Sequence, residues 1–285
     1  MKQTTYTHQT IHDVGVGLRT PHYQYILENQ PPISWFEVLI DNYMGAGGMP
    51  LKHLDAIRAQ YPITFHGVGM SLGSTDPLNT AYLQRLKELI QQFEPTLVSD
   101  HLCWTGVHGY ESNDLLPMPY TEESIKHVVE RIQRVQDFLG QQILVENVSS
   151  YISYTLDAMT EWEFYIEVVT RADALMLFDV NNIYVSAQNH SFDAINYLNA
   201  IPPERVKEMH LAGYEDKGTH LLDTHGYPVH PPVWELYKQA IERFGKIPTL
   251  IEWDNNIPDF PTLLHEAEKA SLILQQQGQD YVITE

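Results

Sequence analysis

Six residues able to hold a metal ion stand at or near the ends of six successive short apolar segments. They are His66 in ITFHG, His101 in VSDHLCW, Glu146 in ILVENVS, Asp179 in LMLFDVNN, His210 in HLAGY and Glu252 in IEWDNN. Imidazole and carboxylate groups are the ligands of zinc, iron and manganese, and one cysteine in the whole chain excludes a thiolate cage or an iron–sulfur cluster. Glu146 and Asp179 follow apolar strands directly, where an unpaired charge is expensive, and Lys and Arg are scarce in these motifs. A bound cation is the economical partner. Asn182 lies three positions after Asp179, and Asp223 and His225 lie two apart in LLDTHG, a spacing that points both the same way from an extended segment. Nine nitrogen and oxygen ligands oversupply a single ion, since zinc takes four and iron or manganese about six with water. Two or three metals are implied. His66, His101 and Glu146 alone form a two-His-one-carboxylate set, which leaves open positions on non-haem iron, although zinc or manganese fits the same ligands.

Residues so far apart in sequence need a scaffold that gathers strand ends. Apolar, β-branched runs predict eight strands, at Val14–Leu18, Trp35–Ile40, Ile63–His66, Leu97–His101, Ile143–Glu146, Leu175–Asp179, Val206–His210 and Thr249–Trp253. Helical spacing of apolar residues predicts helices over Leu78–Phe93 and Glu122–Leu139, the second capped near Thr121, and a last one over Phe260–Gln277 entered through Pro261. Eight alternations over 285 residues, without a linker or low-complexity stretch, predict one (β/α)8 TIM barrel spanning 1–285. In that fold the strand ends converge at one mouth. A doubly wound sheet is the weaker alternative, because Gly45, Gly47 and Gly48 lack the spacing of a dinucleotide fingerprint.

Seventeen Lys and Arg against 37 Asp and Glu give a net charge of −20, which repels nucleic acid. No apolar run is long enough for a membrane span, and the first residues lack the pattern of a secretory signal, so a soluble cytoplasmic protein is expected.

Other residues carry weaker signals. Asp254, with Asn255 and Asn256, follows Glu252 and is the candidate catalytic group for binding or deprotonating a substrate. Arg19 reads as a partner for a carboxylate. Glu37, Asp41 and Asn42 are not read as ligands, and the neighbouring GAGG suggests a mobile loop that could admit a peptide. Cys103 reads as a buried structural thiol. His108, His220 and His230 are expected in loops near the mouth, and Trp104, Tyr110 and Trp253 on a pocket wall.

The ordered motifs GVGLR, FEVLIDNY, FHGVGMSLG, SDHLCW, VENVSSY, FDVNNIYVS, HLAGY, DTHG and IEWDNN resemble the MNIO family, the multinuclear non-haem iron-dependent oxidative enzymes, from about Val14 to Leu274. The resemblance implies a xylose-isomerase-like TIM barrel with two or three irons. It further implies oxidation, with O2, of cysteine residues in a ribosomally made peptide, usually beside a partner protein that presents the peptide leader. By motif, His66, His101 and Glu146 would hold one iron, and Glu146, Asp179, His210 and Glu252 a second, with Glu146 bridging. Asn182, Asp223 and His225 would hold the third. A trinuclear zinc endonuclease of the same superfamily is similar in order but has His where this chain has Asn182.

Two other functions fit the same ligands. One is a zinc- or manganese-dependent hydrolase or sugar isomerase on the same barrel. The other is a non-catalytic metal-binding scaffold for a peptide or partner, which would need no open coordination positions.

Overall fold

The computed structural model describes residues 10–276. Eight parallel strands close into a barrel in sequential order: β1 (Val14–Gly17), β2 (Phe36–Leu39), β3 (Ile63–Gly67), β4 (Val98–His101), β5 (Leu144–Glu146), β6 (Leu175–Asp179), β7 (Val206–Leu211) and β8 (Thr249–Ile251), the last pairing with the first. The open doubly wound sheet is thereby excluded. Each strand is almost wholly buried, because its inner face fills the barrel and its outer face is covered by helices. One side chain makes way for another at the base. A Cβ on Gly15 would stand 2.4 Å from the ring of the fully buried Trp35, so glycine is required there.

The helices start where the sequence signals them. Asn79 caps Thr80–Phe93 by accepting from the Tyr82 N–H, and Thr121 caps Glu122–Leu139 by accepting from the Ser124 N–H. Gly140 closes the latter in the left-handed conformation. The last helix is Phe260–Gln276, and Gln277 of the expected span lies outside the described residues.

An antiparallel hairpin, Trp104–Val107 with Tyr110–Leu116, interrupts the alternation after β4 and is not foreseen from the sequence. Its second strand, YESNDLL, is polar and exposed along most of its length, so it carries no core-facing alternation to detect.

Register fixes the ligand-bearing residues side by side. Leu39 pairs with His66, His101 with Glu146 and Asp179 with His210 on adjacent strands, all at the C-terminal end of the barrel. Glu252 lies one residue beyond β8, its N–H donating to the Leu211 carbonyl at 2.9 Å.

Candidate metal centre

His66, His101 and Glu146 form one cluster and Glu146, Asp179, His210 and Glu252 a second; within each, one ligand atom per residue lies within 4.8 Å of all the others. Glu146 belongs to both. These are the two groupings expected from the motifs, and every member is buried.

The hydrogen bonds around the imidazoles fix which nitrogens are free. His101 Nδ1 is 3.1 Å from the Gly67 carbonyl, which can only accept, so Nδ1 carries the proton. Ser99 donates its hydroxyl proton to the Phe65 carbonyl and therefore accepts from His66 Nδ1 at 2.8 Å. In both rings Nε2 is left as a bare lone pair. Those two nitrogens face Glu146 Oε2 at 3.2 Å from His66 and 3.1 Å from His101, and that oxygen has no hydrogen-bond partner. Burial keeps the rings neutral, pushing His66 well below its usual value and His101 down to about 4. Three donor atoms thus point electron density at one another. Their separations match the roughly 3.0–3.4 Å edges between donors lying about 2.1 Å from a shared ion.

The other ligand-capable atoms repeat the pattern. Asp179 Oδ2, Asn182 Oδ1 and His225 Nε2 are buried without hydrogen-bond partners, although His225 Nε2 lies 2.7 Å from Asp223 Oδ1. Asp179 Oδ1 is already committed, accepting from the Asn182 N–H at 2.6 Å and so capping the helix Val180–His190. That cap places Asn182 in the first turn. Asn147, which the sequence did not flag, clamps the Asp179 backbone through both amide atoms at 2.9 Å and accepts from Asn182 Nδ2 with its carbonyl at 3.1 Å. Asn181 Nδ2 and the Ser149 hydroxyl, also unforeseen, fix the two oxygens of Asp223.

His225 lies between two carboxylate groups. Its Nδ1 is 3.1 Å from Glu252 and 3.4 Å from Asp254, so Asp254, expected to be catalytic, joins a third cluster that could hold a cation. Arg19 pairs with both Asp254 and Glu252. Five carboxylates are buried in this part of the barrel, Glu37, Glu146, Asp179, Glu208 and Glu252, and of these Arg19 pairs with Glu252. Burial raises Glu146 well above the carboxylate range and Asp179 up to about 7. His210 and His225, against the pull of burial, are raised by their carboxylate neighbours. The chain alone supplies too little positive charge, as the donor set of a polynuclear cation site requires.

A cavity of about 950 Å³ opens above, lined by His66, His101, Asn182, Asp223, His225 and Glu252 with Asp254 and Asn255. Tyr82 and Tyr151 line it, whereas Trp104, Tyr110 and Trp253 do not; Tyr110 is 80% exposed and Trp253 packs in the core. Gly45–Gly48, Asn42 and Asn256 are likewise absent from the lining, so the expected peptide entrance at GAGG is not where the cavity opens. The hairpin after β4 provides that wall through Thr105, Glu111 and Asp114. Asp41 accepts from the Val68 N–H and Asp100 from the Met70 N–H, holding the loop after His66. His108 is on the hairpin turn, His220 stands near Tyr151 and His230 stacks on Tyr214 at 4.0 Å; none lines the cavity. Cys103 is fully buried and its thiol is raised by burial.

Glu37 and Glu208 were missed as members of the centre's surroundings. Both are within reach of His210. Period two in VKEMH, which sends Glu208 into the barrel with His210, was the available signal.

Residues 13–275 match the family described as "RiPP precursor modification enzyme MbnB/TglH/ChrH". The chain is 54% identical over 266 residues to a UPF0276 protein of Acaryochloris marina, covering 93% of this chain and 96% of that one. It is 47% identical over 265 residues to a UPF0276 protein of Caulobacter vibrioides, covering 93% and 95%. Among solved structures, endonuclease IV from Thermus thermophilus superposes with a TM-score of 0.62 at 15% identity, covering 93% of this chain and 99% of that one. D-psicose 3-epimerase from Clostridium cellulolyticum gives 0.61 at 11%, covering 93% and 98%. These structural likenesses establish a xylose-isomerase-like TIM barrel.

Proposed function

The chain belongs to the MbnB/TglH/ChrH family of RiPP precursor modification enzymes, and from that premise we propose that it is a multinuclear non-haem iron oxidase that uses O2 to modify cysteine residues of a ribosomally made precursor peptide. The observation that carries the metal centre is the meeting of two bare imidazole nitrogens and an unpartnered carboxylate oxygen around Glu146. His66, His101 and Glu146 would hold one ion, and Glu146, Asp179, His210 and Glu252 a second, with Glu146 bridging. Asn182, Asp223 and His225 would hold a third. Bound iron supplies Lewis acidity toward a substrate thiol and the capacity to oxidise it with O2.

The chain's own groups do the rest. The cavity above the centre accepts a short peptide loop bearing the cysteine, with Tyr82 and Tyr151 on its walls. Asp254, which lines the cavity with its side chain 37% exposed, has Oδ1 tied to Arg19 and Oδ2 3.4 Å from His225 Nδ1, and Oδ2 would take the proton of an incoming thiol. A partner protein that binds the peptide leader completes this reading.

Metal analysis after anaerobic purification tests it directly. The expected result is two or three irons per chain, with O2 consumed when a cysteine peptide is added and not when serine replaces cysteine. Stoichiometric zinc or manganese with no O2 uptake would overturn the oxidase in favour of a hydrolase or isomerase on the same ligands.

A further inference from the structure

The two nitrogens of His210 face opposite directions in the barrel. Nδ1 points to the proposed centre, 3.1 Å from Glu252 Oε2 and 3.7 Å from Glu146 Oε1. Nε2 points deeper, 3.1 Å from Glu37 Oε2, with Glu208 farther off at 3.9 Å. His66 and His101 are arranged the other way, with Nε2 toward Glu146 and Nδ1 anchored by Ser99 and by the Gly67 carbonyl. One imidazole therefore needs its own, different anchor. Glu37 stands on β2 and His210 on β7, and the Glu37 carboxylate is fully buried within hydrogen-bond distance of Nε2.

We propose that Glu37 is a positioning residue: it accepts the Nε2–H of His210 and thereby holds Nδ1, as the metal-binding nitrogen, toward Glu146, Asp179 and Glu252. The inference rests on the metal centre proposed above. A carboxylate behind a ligating imidazole fixes its tautomer and ring orientation and makes the other nitrogen a better donor. Glu37 lines neither the cavity nor the two clusters that share Glu146; with Glu208 and His210 it forms a further group of ligand-capable atoms, so its influence is expected first at the ion that His210 would hold.

The test uses the full chain, stripped of metal and titrated with Co(II), as wild type, Glu37→Gln and Glu37→Leu. The proposal expects Glu37→Leu to weaken one ion by roughly 10- to 100-fold while the others bind as before, and Glu37→Gln, whose amide oxygen still accepts, to weaken that ion less. A second measurement follows imidazole ¹⁵N and ¹H resonances of the Zn(II)-loaded chain. His210 should show metal on Nδ1 and a downfield Nε2–H that moves upfield in Glu37→Gln, and this spectrum decides the matter should Glu37→Leu not fold. Metal on Nε2, an unmoved Nε2–H, or equal weakening of every ion would overturn the role of Glu37 while leaving the metal centre standing. Wild type that binds neither Co(II) nor Zn(II) would instead remove the centre itself.

Discussion

Glu146 is the residue on which the site turns. Its Oε2 faces His66 and His101, while its Oε1 faces His210. A carboxylate shared in this way would neutralise two ions at once, so Glu146→Gln should lower bound metal by about two equivalents per chain, measured by elemental analysis of the purified variant. A loss of one ion, or none, would contradict the bridging assignment. The same geometry explains why Asn182 suits this position as an amide. Its nitrogen donates to the Asn147 carbonyl, which turns Oδ1 the other way, unpartnered, at the edge of the cavity.

At the scale of elements, Asp179 both ends β6 and starts a helix, and the two duties can be separated. One oxygen caps Val180–His190 and the other is unpartnered. Asp179→Asn retains an acceptor for the cap, whereas Asp179→Ala removes it. The metal-free Ala variant should unfold in urea about 1 kcal/mol more easily than the Asn variant, while both bind less metal than wild type. Equal urea midpoints for the two would mean that the cap contributes nothing. The strands were legible because each is a compact, mostly apolar run, and six of the nine ligand-capable residues were singled out by standing at or beside the ends of the last six. Glu37 and Glu208 were not, because one inward carboxylate in FEVL or VKEM looks like any polar residue on an alternating strand. Their significance appears only when closure of the barrel brings β2 and β7 to the same imidazole. Asp254 was legible as a mouth residue, but its partnership with Arg19, from the far end of the chain, was not assignable before β8 met β1.

Across the whole molecule, the buried acids and histidines set a pH dependence. Burial raises Glu146 and Glu208, and Asp179 up to about 7, while carboxylate neighbours raise His210 and His225 against the effect of burial. These groups keep protons in the folded chain that the unfolded chain has already released, so stability falls as pH rises through their raised values. His66 and His101 act in the opposite sense below 6.5, the unfolded histidine value, where the unfolded chain takes up protons that the fold refuses, His101 down to about 4. The metal-free protein should accordingly lose thermal stability from pH 6.5 to pH 9, and added divalent metal should flatten that decline by replacing the protons. Thermal unfolding across this range, with and without metal, checks it; a metal-free midpoint that climbs with pH would refute the assignment. The net charge of −20 works at the same scale, keeping polyanions away from a mouth whose carboxylates are held for cations.

The sealing of Cys103 has a practical corollary. It is the single cysteine of the chain, wholly enclosed two residues after His101 and with its thiol raised by burial. Maleimides and iodoacetamide will find no thiol to alkylate on the native fold, so in the proposed reaction every labelled thiol would report on the peptide. The chain also has no accessible thiol of its own that would compete with a peptide thiol for bound metal.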